Sequence, residues 1–144
     1  MFFGRCEHNI DEKGRLIIPV HYRPLLEVGA YITSGFDQNL MVMTSPVFDK
    51  VHGQINQMNL TDPLSRQLRR LIFSNAERVD LDKAGRILLP QYLRELGQLN
   101  SSAIINGVHD YFEIWSPPLW QRQNELLNND VDSQRYSVFN LSLG

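Results

Sequence analysis

Ile10–Pro19 reads IDEKGRLIIP, and Leu81–Pro90 reads LDKAGRILLP. Asp, Gly, Arg and Pro recur at an offset of 71 residues, and each apolar position is matched by an apolar residue. Arg23 and Arg94 extend the match at the same offset. After a slip of one residue the likeness continues: Ile32, Gly35 and Pro46 reappear as Ile104, Gly107 and Pro118, and Phe48 is answered by Trp120. Repeated sequence means a repeated structural unit. Each copy spans about 45 residues, too few to bury a self-sufficient core. Two copies in one chain can complete each other, so the apolar strands are expected to interlock about a pseudo-two-fold axis.

Within a copy the pattern reads strand, turn, strand, short helix, strand, turn, strand. Gly14 and Gly85 sit where a tight turn asks for positive φ. Pro19 and Pro90 end β-branched-rich arms because proline cannot donate to a ladder. The segment HYRPLLEVG is expected to hold a helical turn closed by Gly29, with Pro24 in its first turn. Its counterpart YLRELG has Glu95 at that place and can run longer. Ser45–Pro46 and Ser116–Pro117 read as N-cap and N1 of helices that follow each copy. Between the copies a further helix carries Leu64, Leu68, Leu71 and Ile72 on one stripe. The tail beyond Asn128 is polar, but its last apolar residues, Val138, Phe139, Leu141 and Leu143, are candidates for docking. The expected division is repeat 1 over 1–50, a helical linker over 51–75, repeat 2 over 76–122, and a helix end with tail over 123–144.

Composition removes several function classes. The chain has 144 residues, 42% of them hydrophobic, and a net charge of −2. Any positive field for nucleic acid must therefore be local. One cysteine, Cys6, precludes an internal disulfide and a Cys/His zinc site, which suits a reducing cytoplasm. No apolar run approaches membrane-spanning length, and the first residues lack a signal-peptide core, so a soluble, unexported protein with no membrane partner is expected. Asp37, His109, Asp110 and Glu113 are acids and a base without a nucleophile elbow, P-loop, dinucleotide fingerprint or metal motif beside them. The expectation is no enzyme, no cofactor and no metal. Tyr111, Phe112, Trp115 and Trp120 read as core or subunit-interface residues.

Asp-x-x-Gly-Arg followed by three apolar residues and Pro, with Arg four residues on, resembles the AbrB/SpoVT swapped-hairpin DNA-binding unit. Two copies joined by a helical linker, after the opening MFFGRCEHNIDEKGRLIIPVHYR, resemble the MraZ family over Met1 to about Leu127. That resemblance implies an α+β fold of two swapped-hairpin units interlocked in a small pseudo-two-fold barrel, with helices between and after them. It implies a nucleoid-associated regulator of the bacterial division and cell-wall operon. Such a protein binds short direct repeats in its own promoter as a homo-oligomeric ring. A ring-forming protein scaffold without specific DNA binding is the alternative.

By position, the resemblance makes His8, Lys13, Arg15 and Arg23 the DNA-facing residues of copy one, and Lys83, Arg86 and Arg94 those of copy two. Val79 and Ala84 stand where His8 and Lys13 stand in copy one, so the first copy is expected to be the stronger reader. A two-stranded ribbon fits the major groove, and arginine's planar fork bonds two acceptors at once. Structural alternatives stand beside each residue. Arg15 and Arg86 can pair with Asp11 and Asp82 across one turn. Arg23 and Arg94 can bond strand or helix carbonyls. His8 alternates with Cys6 and Ile10, as a packed neutral histidine would. Arg5, on a face with Glu7 and Asn9, and the cluster Arg66, Arg69 and Arg70 read as solvated.

Overall fold

The two repeated strings become the arms of two hairpins that exchange partners. The computed structural model describes residues 1–129 and 133–141. β1 (Arg5–Asn9) and β2 (Arg15–Ile17) flank the turn at Gly14, and β5 (Glu77–Val79) and β6 (Arg86–Leu88) flank the turn at Gly85. Leu16 and Ile87 point inward and are fully buried, while Arg15, Ile17, Arg86 and Leu88 face out, as the two-residue period of a strand demands.

β2 and β6 pair with each other, antiparallel, with Leu16 opposite Ile87 and Arg15 opposite Leu88. The outer arms are lent across. β1 of copy one pairs with β7 (Ser102–Gly107) of copy two, and β5 of copy two pairs with β3 (Ala30–Ser34) of copy one. With β4 (Leu40–Thr44) and β8 (Tyr111–Trp115) at the centre, the large sheet has the order β1-β7-β8-β4-β3-β5. That order reads the same from either end when the copies are exchanged, so the expected interlocked α+β arrangement is present. The sheet ends on β1 and β5 and does not close as a barrel.

The main core lies between this sheet and the β2–β6 ribbon. Leu16, Ile18, Ile32, Leu40, Ile87, Leu89, Ile105, Phe112 and Ile114 are all excluded from solvent there. Each such side chain contributes on the order of 1.5–3 kcal/mol by leaving water. Phe2, Tyr22 and Phe112 form an aromatic cluster, with Phe2 5.2 Å and Tyr22 5.2 Å from the Phe112 ring. The Tyr22 hydroxyl donates to the Phe3 carbonyl at 2.7 Å, which satisfies its one polar atom.

Helices cover the outer face of the sheet. α1 (Ser45–Asn56) and α2 (Pro63–Phe73) form a second apolar cluster with Met41, Met43, Ile55 and Ile72. Phe48 stacks on Tyr31 at 4.5 Å, and Trp120 of α4 (Pro117–Asn129) packs edge-on to Trp115 at 5.6 Å. Matched positions in the two copies thus fasten their helices with aromatic rings. Thr33 donates to the Ile72 carbonyl at 2.5 Å and ties α2 to the sheet.

Several local expectations change. Helix α1 is preceded by Thr44 as N-cap, with Ser45 already helical, whereas the Ser116 hydroxyl accepts from the Leu119 amide as expected of a cap. Leu64 is exposed, because Asp62 caps α2 immediately before Pro63 and leaves Leu64 in the first turn, away from the sheet. Pro24 lies inside a 3₁₀ segment, Val20–Leu26, rather than in a first turn; copy two forms a true helix there, α3 (Gln91–Leu96). A 3₁₀ turn is the tighter helical form used in short connectors. Arg5 is not simply solvated: it donates to Asn124 at 3.1 Å and lies over the Trp120 ring. Arg69 caps the end of α1, donating to the Ile55 and Met58 carbonyls at 3.1 Å each, and Arg66 donates to the Leu60 carbonyl at 2.8 Å. Of the tail residues, Leu143 lies outside the described residues.

Candidate nucleic-acid interface

Both turns are built the same way, and an aspartate is the reason. The Asp11 carboxylate accepts the Lys13 amide at 3.0 Å and the Arg15 amide at 2.8 Å, while its second oxygen takes Arg15 Nε at 2.6 Å. Asp82 accepts the amides of Ala84 and Arg86 at 2.9 Å each, and Arg86 Nε at 2.8 Å. One residue thus closes the turn and orients an arginine. The two constellations touch, since Arg86 Nη1 lies 3.6 Å from Asp11. The backbone bond from the arginine is the largest influence on each carboxyl; desolvation opposes it, and the arginine's side-chain bond and charge tip the balance, so both carboxyls lie below the usual carboxylate range.

The sign of the resulting pH dependence follows. A carboxyl whose pKa is depressed on folding stabilises the fold above its unfolded value and loses that contribution as pH falls through the folded value. The double variant Asp11→Asn/Asp82→Asn keeps the oxygen that accepts the backbone amides, but puts an NH2 donor opposite the arginine Nε and removes the charges. It is expected to melt below the wild type at pH 7, and the gap should close on acidification below the ordinary value of 3.8. Thermal melts over that range measure it. A gap that persists in acid would mean the charges are not its cause.

Gly14 and Gly85 have φ of +83° and +78°. A Cβ on Gly14 would sit 2.9 Å from the Arg94 guanidinium, and one on Gly85 would run into Arg23. The arginines therefore cross: Arg94 of copy two lies on the turn of copy one, and Arg23 of copy one on the turn of copy two. Each is fixed by the carbonyl just past a ribbon strand of its own copy, with Arg23 Nε donating to Ile18 at 2.9 Å and Arg94 Nε to Leu89 at 3.0 Å. The Ile18 and Leu89 amides donate in turn to the Gly85 and Gly14 carbonyls, at 2.9 and 2.8 Å. The carbonyl alternative for these two arginines is thus the one present, and each supports the opposite copy's turn.

The expected site residues fall into three groups. Arg15 and Arg86 share the outer face of the ribbon with Ile17 and Leu88, with side chains 33% and 28% exposed. Asp11 engages Arg15 through Nε alone, so its two Nη nitrogens are not committed to that pair. Lys13 and Lys83 stand exposed at the two turns. Arg23 and Arg94 lie beneath the turns as described. His8 is elsewhere, half-buried on β1 opposite Ala103. Within and against the two turns there are six cations (Lys13, Arg15, Arg23, Lys83, Arg86, Arg94) and three acids (Asp11, Glu12, Asp82), a local positive excess on an acidic chain. This surface has the charge and ribbon shape that a duplex groove accepts.

Glu113 is occupied structurally, a role the sequence reading did not foresee. It accepts Asn39 Nδ2 and Asn106 Nδ2 at 3.0 Å each and Trp115 Nε1 at 3.1 Å, tying β7 and β8 to the loop before β4. The hint was available: Asn39, Asn106 and Trp115 are donors near or on the same strand pair. His109 pairs with Asp110 at 2.8 Å on the surface. Among the described residues, no cluster of His, Cys, Asp and Glu is suited to a metal, and no helix is long and apolar enough to cross a membrane.

Comparison with known proteins gives a consistent result. A family model described as "MraZ protein, putative antitoxin-like" matches residues 1–71 and again 72–136. A protein of Herpetosiphon aurantiacus named transcriptional regulator MraZ is 45% identical over 121 residues, 84% of this chain and 85% of its own. A protein of the same name from Roseiflexus castenholzii is 46% identical over the same length and shares. One from Desulfitobacterium hafniense is 37% identical over 143 residues, covering 99% of this chain and 100% of its own.

Proposed function

The chain belongs to the MraZ family, and from that premise we propose that it is a sequence-specific, double-stranded-DNA-binding transcriptional regulator. It is not an enzyme; its relatives are named as regulators. The promoter it reads is that of its own division and cell-wall operon, at short direct repeats, and it does so in the cytoplasm, associated with the nucleoid. Residues 1–50 and 76–122 act as the two repeats, 51–75 as the helical linker, and 123–144 as the closing helix end and tail.

One observation carries the DNA reading: a two-stranded ribbon whose outer face holds two oriented arginines and two exposed aliphatic side chains, Ile17 and Leu88. Arginine forks suit guanine edges or phosphates, and aliphatic groups suit the thymine methyl. Lys13 and Lys83 flank that face and contribute phosphate contacts. Arg23 and Arg94 act mainly by holding the turns, and His8 is the least favourably placed of the seven.

So few cations per chain bind weakly alone, in the non-specific range of roughly 10⁻⁴–10⁻⁶ M. Self-association into a ring over repeated boxes raises this by about 10²–10⁴ through linked contacts. Equilibrium binding to the DNA upstream of its own gene, against a scrambled duplex of equal length, tests the reading. Tighter, salt-dependent binding to the natural duplex is expected. Equal affinity for both would leave the protein scaffold as the better account.

A further inference from the structure

An apolar groove lies on the helical side of the molecule, away from the ribbon. Its volume is about 400 Å³, and Phe36, Met41, Met43, Met58, Leu68 and Ile72 are among its walls. Three of the chain's four methionines therefore line it, Met41 and Met43 at its buried floor and Met58 exposed at its wall. Methionine is the side chain best able to mould itself to an apolar visitor. The groove runs on past Met58 and Leu68 to Leu64 and Ser65. Ser65 is 5% exposed, and among the described residues its hydroxyl has no hydrogen-bond partner. A buried hydroxyl so placed can serve the backbone of an incoming segment. Exposed Phe36 and Leu64 rim this surface, at 65% and 70%.

The same chain carries a segment of the complementary kind. Ser133–Phe139 is a 3₁₀ turn followed by Asn140 and Leu141. Tyr136, Val138, Phe139 and Leu141 are 47%, 74%, 75% and 87% exposed. In a 3₁₀ helix residues three apart eclipse, so Tyr136 and Phe139 form one ridge, with Val138 and Leu141 beside it. The only charged residue from 133 to 141 is Arg135, and Asp110 stands at the groove.

We infer that residues 133–141 of one chain dock in the methionine-lined groove of a second copy. This rests on the proposed self-association and names its surfaces. Because ridge and groove are different patches, the contact is head-to-tail, the type that closes a ring. A free peptide or another protein in the groove are the competing occupants.

The test uses two full-length variants at exposed positions, Phe139→Glu on the ridge and Met58→Glu on the groove, sized by sedimentation equilibrium. The wild type is expected to be an assembly, and each variant a single chain of about 16.7 kDa. Mixed in equal amounts, the two variants should form a species of twice that mass, since one intact ridge then meets one intact groove. That recovery cannot arise from misfolding. A wild-type assembly whose mass neither variant changes overturns this docking and leaves self-association standing. Variants that stay single when mixed also overturn it. A wild type that is itself a single chain overturns both readings.

Discussion

Replacing Arg15 and Arg86 together with glutamine is expected to reduce affinity for promoter DNA by about 10²–10⁴-fold. The figure follows from two charge-assisted hydrogen bonds at roughly 1.5–3 kcal/mol each. The slope of log K against log salt should become shallower by about 0.9 for each phosphate that is no longer neutralised. Loss of a hydrogen bond to a base edge would weaken binding to the natural duplex and not to the scrambled one, so the two duplexes separate the modes. Glutamine leaves Asp11 and Asp82 their backbone partners, so the turns remain closed and the fold should persist. Unchanged affinity together with an unchanged slope would remove the ribbon as the DNA surface. The single variants then rank the copies. The expectation that the first copy is the stronger reader predicts the larger loss for Arg15→Gln.

Phe112→Ala is the largest stability effect expected of a single change. The ring is fully buried on β8, opposite Val42, and packed against both Phe2 and Tyr22. Its removal should cost about 3–5 kcal/mol. That is a large part of the roughly 5–15 kcal/mol that holds a domain together. Urea unfolding measures it, and Val28→Ala, at an exposed position, should change stability by about 0.5 kcal/mol or less. Comparable effects from the two would mean the aromatic cluster is not the keystone it resembles.

The repeat made much of this architecture legible. Matching Asp, Gly, Arg and Pro at one offset announced two equal units, and their small size demanded mutual completion. Which strand completes which was not legible, because both copies have the same pattern and pairing is settled by packing across copies. The arginines show this most clearly. Arg23 lies nine residues after Gly14 and suggests a local contact, yet it packs on Gly85. A contact between copies leaves no trace in the spacing within one copy. Arg5 and Arg69 looked like solvated charges for the same reason: their partners, Asn124 with Trp120 and the end of α1, are set by tertiary packing. Ser45 failed as a cap because an equally suitable Thr44 precedes it. Glu113 was hidden by its own alternation, since an acid on a strand face reads as exposed until its three donors are assembled around it.

The lending of β1 across the molecule sets a timetable for its making. Arg5 to Asn9 find their partners only in Asn106 to Ser102. At a synthesis rate of about 5–20 residues per second, the first strand waits roughly 5–20 s for the one that will hold it. Until then the nascent chain displays an unpaired strand edge and the bare arm Leu16–Ile18, while the β3–β4 hairpin, closed over a short loop, forms early. A ribosome that pauses after the first copy therefore prolongs the exposure of a sticky half-molecule. The exposure falls on the earlier repeat, although the two adopt the same fold.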